Sequence, residues 1–214
     1  MMQAVVVIGA GGFGRETLDV IEAVNRAATR PIFEIVGVVD DAPSALDQER
    51  LAARGIAWIG TIHAWLAEKT TAQFLIGIGN PIVRTAIDAR LISAGRVAAT
   101  VIHPNATIGS RSVIGAGTIV CSGAEISTNV TLGANAHINP NATVGHDTVL
   151  ADCVSINPGA VVSGDVSIGP QTLIGAAAVI LQGLSVGTRC VVGASACVTR
   201  DVADESTIKG VPAR

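Results

Sequence analysis

Cut into sixes, Val101 to Val202 reads VIHPNA TIGSRS VIGAGT IVCSGA EISTNV TLGANA HINPNA TVGHDT VLADCV SINPGA VVSGDV SIGPQT LIGAAA VILQGL SVGTRC VVGASA CVTRDV. The second place of all 17 hexads is Ile, Leu or Val, from Ile102 to Val198, with no insertion or deletion. An unbroken period of six signals a solenoid, because each repeat can bury its apolar residue only against neighbouring repeats.

Each place in the hexad has a physical task. Places six, one and two alternate as a short strand does, so the aliphatic and the small residue two before it (Ala106, Ser112, Thr118, Ala124) both point inward. The fifth place is Asn, Asp or Gly in 11 of 17 hexads, as a backbone turning through the left-handed region requires. Two-residue strands joined by such turns predict a triangular coil of three hexads. Coils about 4.8 Å apart give a prism roughly 27 Å long.

Composition narrows the alternatives. Half the residues are apolar (49%), enough for buried cores in a chain of 214. Aromatics are 2%, which argues against base-stacking nucleic-acid modules. A net charge of -3 without a basic run offers nothing to a polyanion or a membrane surface. Cys121, Cys153, Cys190 and Cys197 all fall inside hexads with no C-x-x-C, so they read as reduced thiols rather than a zinc site or disulfide framework. The opening MMQAVVVIGAGG has no basic segment and too short an apolar run for a signal or a span, so a cytoplasmic protein is expected.

Upstream of the solenoid, Ala4 to Ile8 is an apolar run of strand length, followed by GAGGFG (9–14) and a helical pattern from Thr17 to Ala27. Glycines between strand and helix permit a tight turn and let helix-terminal N–H groups approach a phosphate. A second strand, Phe33 to Val39, ends in Asp40-Asp41, where an acidic residue commonly takes ribose hydroxyls. A short helix lies within Ala42–Arg54, an edge strand at Ile56–Ile59 and another short helix at Thr61–Lys69. Phe74 to Ile78 is a third buried-type strand, and Pro81 to Ala94 a helix closed by Gly95. Val97 to Ile102 leads as a strand into the solenoid. The expected division is a small parallel α/β domain over 1–97 and the solenoid over 98–214.

Within so regular a prism, His146 stands out as the one His at the exposed fourth place. The same corner one coil later, three hexads on, carries Gly164. A His beneath an open Gly leaves room for a ligand and a backbone N–H to meet it. His137, at an outward strand place, is expected at the surface or an interface; His103 and His63 are expected to be structural. Nothing near Cys153 in sequence would activate its thiol.

GAGGFGRE, VVDD, GIGNPIVR, INPNATVGHD and the terminal GVPAR, in this order, resemble the bacterial hexapeptide-repeat sugar acyltransferases. That family includes sialic-acid O-acetyltransferases and N-acetyltransferases of nucleotide-linked amino sugars. The resemblance implies a Rossmann-like domain that binds nucleotide sugar, then a left-handed parallel β-helix. It implies acetyl-CoA as co-substrate, no metal, and a homotrimer with each active site between subunits. His146 would be the general base, Asp147 its orienting partner, Gly164 N–H the oxyanion donor and Asn139 a further active-site residue. Ser155, Gly164, Ala176 and Ala194 would line acetyl-CoA, with GVPAR near its adenine end. Gly11, Gly12, Phe13, Asp40, Asp41 and Gly79 would hold the nucleotide sugar. Ser155 and Phe13 stand where some relatives carry His.

Two of these assignments have plain alternatives in the repeat itself. Asp147 occupies a place where turn residues are the rule, and Asn139 has Asn157 in the same place one coil on. The expected activity is acetylation of a nucleotide-linked amino sugar. O-acetylation of sialic acid or another sugar hydroxyl, a non-catalytic nucleotide-binding scaffold and a nicotinamide-dependent enzyme are its alternatives.

Overall fold

The computed structural model describes residues 2–214. It divides into a unit that ends at Val101 and a unit Ile102–Arg214.

The first unit is built on a three-stranded parallel sheet: β1 (Gln3–Ile8) in the centre, β2 (Phe33–Val39) on one side and β3 (Gln73–Ile76) on the other. Val5, Val6, Val7 and Ile8 are at most 1% exposed, as a strand buried on both faces demands. Helix α1 (Gly12–Ala27) lays Gly14, Thr17, Leu18 and Ile21 on the sheet. It starts at Gly12 rather than at Thr17, where the apolar pattern begins, because the glycine-rich loop itself supplies the first turn. Two short helices, α2 (Ala45–Ala52) and α3 (Ile62–Ala67), are capped by Ser44 and Thr61. Helix α4 (Pro81–Ser93) begins as expected: Asn80 Oδ1 accepts from the N–H groups of Ile82 and Val83, and Pro81 fills the first turn. Gly95 follows with φ +76°.

The expected edge strand and the strand expected to lead into the solenoid both shrink. Ile56–Ile59 contributes one parallel bridge, Val38 to Trp58; Val97–Ile102 contributes a bridge at Ala98 and the two-residue strand Val101–Ile102. A single bridge against the sheet edge leaves the rest of each segment free to turn.

The second unit is a parallel β-helix with three faces. The first face has seven two-residue strands, Val101–Ile102, Ile119–Val120, His137–Ile138, Ser155–Ile156, Leu173–Ile174, Val191–Val192 and Thr207–Ile208. The second has six, from Thr107–Ile108 to Cys197–Val198, and the third five, from Val113–Ile114 to Ser185–Val186. Register steps by three hexads from strand to strand, as in His137 to Ser155, Thr143 to Val161 and Val149 to Ser167. One core of small and aliphatic residues runs through it, including Ala124, Ile126, Ala142, Val144, Ala160 and Val162. Where the inward sixth place is Thr, its hydroxyl is paired: Thr118, Thr148 and Thr172 donate to the carbonyls of Gly133, Ser163 and Gly187.

Position, rather than residue type, imposes the left-handed turn. Asn129, Asn135, Asn141, Asp147 and Asp165 adopt φ between 53° and 60°, and so do Cys153, Ala177, Arg189 and Ser195. For residues without a short polar side chain this costs about 1–2 kcal/mol, which the stacked coils on either side must outweigh.

Candidate active site

Three consecutive coils build the corner between the second and third faces. Thr128 and Asn129 lie lowest, His146 and Asp147 above them, and Gly164 above those, each one full coil from the last. Backbone hydrogen bonds tie the levels together: Asp147 N–H donates to Thr128 O at 3.1 Å, and Asp165 N–H to His146 O at 2.8 Å.

His146 and Asp147 project outward and are 62% and 51% exposed. Imidazole Nδ1 lies 2.7 Å from Asp147 Oδ2. A carboxylate accepts only, so the proton of neutral His146 belongs on Nδ1 and the lone pair on Nε2. Asp147 Oδ1 in turn accepts from Asn129 Nδ2 at 3.1 Å. The hydrogen bond from His146 first, and that from Asn129 second, holds the Asp147 carboxyl below its ordinary pKa. Asp147 is therefore ionised throughout the range in which an imidazole works as a base.

Gly164 packs against the ring. A Cβ at this position would stand 2.5 Å from His146 Nε2 and 2.6 Å from Cε1, closer than any side chain tolerates. The backbone of Gly164 thus lies beside the nitrogen that holds the lone pair, and among the described residues its N–H has no acceptor. On the other side of His146 opens a groove of about 520 Å³ along the second face, lined by Thr107, Glu125, Ser127, Thr128 and Thr143.

The remaining residues expected at the site lie elsewhere on this chain. Ala176 and Ala194 occupy fourth places that follow the first face, hence a different corner from His146. Asn139 belongs to that same corner; it is 6% exposed and its Nδ2 donates to Ile156 O at 3.0 Å. Ser155 sits on the first face and is 2% exposed. His137, expected at the surface or an interface, is 1% exposed: the outward places of the first four strands of this face, Val101, Ile119, His137 and Ser155, are enclosed, whereas Val191 further along is 41% exposed. Sequence reasoning passed over Asn129, which lies one coil before Asp147 and counted only as a turn residue.

In the first unit, the glycines separate into two groups. Gly14 and Gly77 are required by packing, since a Cβ would meet Gly9 O at 1.9 Å and Gly14 Cα at 2.5 Å respectively. Around Gly11, Gly12 and Gly79 there is open space instead. Gly11 is the N-cap of α1, no side chain caps that helix and its first turn holds no acidic residue, which leaves the terminus suited to an anion. Phe13 is half-buried in the same turn. Asp40 Oδ2 accepts from Ala10 N–H at 2.8 Å and Oδ1 from Ala42 N–H at 2.9 Å, so its carboxylate pins the glycine-rich loop while keeping further acceptor capacity. Asp41 Oδ1 accepts from Ile62 N–H at 2.7 Å and caps α3.

Residues 4–91 match the family model described as the PglD N-terminal domain, and residues 100–140 and 165–200 the hexapeptide repeat of succinyl-transferase. No curated protein sequence matches the chain. Among solved structures, the chain is similar to a point mutant of perosamine N-acetyltransferase from Caulobacter crescentus in complex with CoA and GDP-perosamine. Identity is 26% and the TM-score 0.86, over 100% of this chain and 97% of that one. It is similar also to the acetyltransferase domain of PglB from Neisseria gonorrhoeae in complex with acetyl coenzyme A, at 28% identity and TM-score 0.85 over 100% and 99% of the chains. A third likeness is to WeeI from Acinetobacter baumannii, at 26% identity and TM-score 0.84 over 100% and 99%.

Proposed function

From the premise that the chain belongs to the hexapeptide-repeat sugar acyltransferases, we propose that it moves an acetyl group from acetyl-CoA to the amine of a nucleotide-linked amino sugar. The observation that carries this reading is the His146–Asp147 pair lodged beneath the bare backbone of Gly164. Without a Cβ at Gly164 the imidazole keeps its place, so Nε2 and the bare Gly164 backbone share one corner, and that suits the corner to a thioester carbonyl.

Acetyl-CoA supplies an electrophilic carbonyl with a thiol leaving group. The chain supplies the rest. Asp147 keeps the His146 proton on Nδ1, and Nε2 takes the proton of the attacking amine as the new N–C bond forms. Gly164 N–H donates to the carbonyl oxygen as negative charge develops on it. The proton held at Nε2 then goes to the departing sulfur, which restores neutral His146. Uncapped α1, with Gly11, Gly12, Phe13 and Gly79 around it, takes the diphosphate, and Asp40 and Asp41 accept from hydroxyls of the nucleotide sugar.

Ser155 and Asn139 are enclosed on their own chain, at 2% and 6% exposed, whereas the exposed Ala176 and Ala194 line the acetyl-CoA site from a neighbouring prism in this reading. Their separation from His146 on one chain supports a trimer in which two different corners meet at each site. Among the described residues, no helix is long and apolar enough to cross a membrane.

Thiol release from acetyl-CoA, measured across UDP-, GDP- and dTDP-linked 4-amino sugars and free sialic acid, tests the assignment, with His146→Ala alongside. Turnover is expected with an amino sugar, and a fall of about 10²- to 10⁴-fold in the variant. A variant with near-full rate would overturn the mechanism. Turnover with sialic acid alone would make the acceptor a hydroxyl.

A further inference from the structure

The geometry points to Asn129 as a positioning residue for the base: its amide fixes the Asp147 carboxylate, which fixes the tautomer and direction of the His146 ring. This rests on His146 acting as proposed above. Three observations carry it.

The first is the hydrogen bond itself, Asn129 Nδ2–H to Asp147 Oδ1 at 3.1 Å, on the oxygen that His146 does not use. Each carboxylate oxygen thus has its own donor, and rotation about the Cβ–Cγ bond would break both contacts. The second is the matching backbone. Asn129 and Asp147 hold φ of 58° and 60°, and Asn129 N–H continues the same vertical ladder by donating to Ser110 O at 3.0 Å. The two side chains are therefore stacked by the coil register, not by chance rotamers.

The third is the choice of residue. A fifth place in this chain accepts Gly, Asp, Arg, Gln, Cys, Ala or Ser as a turn. Of the types common there, Gly would offer Asp147 nothing and Asp would repel it; Asn alone presents an N–H while remaining comfortable at positive φ. Because His146 and Asp147 are largely exposed, water competes for the carboxylate, and a second fixed donor is what keeps the pair aligned in solution.

The test compares Asn129→Gly, Asp147→Gly and the double variant, since Gly accepts the left-handed turn at both places. Nitrogen-15 NMR of the His146 ring reads the tautomer without substrate, so its answer stands whether or not His146 proves to be the base. Wild type should carry the neutral proton on Nδ1, and Asn129→Gly should move population to Nε2–H with the melting temperature unchanged. In turnover, Asn129→Gly should lower kcat about 3- to 10-fold with both KM values retained, and cause no further loss when added to Asp147→Gly. An unchanged tautomer in Asn129→Gly, or an equal loss in the Asp147→Gly background, overturns the assignment.

Discussion

Replacing Gly164 by Ala places one methyl group against the reacting edge of His146. Gly164 is outside the left-handed region, so the backbone accepts Ala without strain and the effect is confined to the new Cβ. That atom would lie 2.5 Å from Nε2. Ordinary contact begins near 3.5 Å, so the ring must retreat by about 1 Å. His146 is 62% exposed and can swing into solvent, so stability should hardly change, with the melting temperature within about 2 °C of wild type. Catalysis has no such freedom: displacement of a base by about 1 Å costs on the order of 10²-fold. The same methyl also narrows the approach to the Gly164 N–H, so KM for acetyl-CoA should rise while KM for the acceptor stays. Steady-state thiol release with each substrate varied in turn, together with a thermal melt, separates these terms. A Gly164→Ala enzyme that is stable and keeps kcat within twofold would refute the placement of the reaction between Nε2 and this backbone.

The two groups of glycines in the first unit should part company on mutation. Gly14→Ala and Gly77→Ala force a Cβ into backbone atoms at 1.9 and 2.5 Å and should destabilise by at least about 1–3 kcal/mol in denaturant melts, whereas Gly12→Ala, facing open space, should melt like wild type yet bind nucleotide sugar more weakly in calorimetry. The Asp147 carboxyl should titrate below its ordinary pKa by carbon-13 NMR. Because the folded value is the lower one, the pair's contribution is complete above about pH 4 and disappears as pH falls through the folded pKa; a midpoint at or above the ordinary value would refute the pairing.

The solenoid was legible because its period is a physical necessity: every sixth residue points into the prism, so Ile102 to Val198 announce themselves without reference to anything distant. His146 and Gly164 followed from the same arithmetic, since a separation of three hexads puts two residues on one corner. Applied further, that arithmetic separates Ala176 from His146, because the five hexads between them are not a whole number of coils. The start of α1 was misplaced because Gly12 and Gly14 carry no apolar signal although they take helical geometry. The enclosure of His137 and Ser155 escaped detection for another reason: periodicity says which way a side chain points, but not whether that side of the sheet is open. Asn129 was hidden by its surroundings, since a turn-forming residue in a turn gives no sign of a second task.

The constant step of three hexads also bears on how the chain finds its structure. Each new coil closes a loop of the same size as the last, from His137 to Ser155 as from Thr143 to Val161, so the entropic barrier to adding a coil does not grow with the length already built. Contacts stay local in sequence however long the prism becomes, which favours propagation from whichever coils form first. The proposed catalytic corner spans Asn129 to Gly164 and needs only a few such closures. A lineage could add whole coils beyond Ala194 without altering the chemistry, whereas loss of a single hexad would turn every later side chain onto the next face.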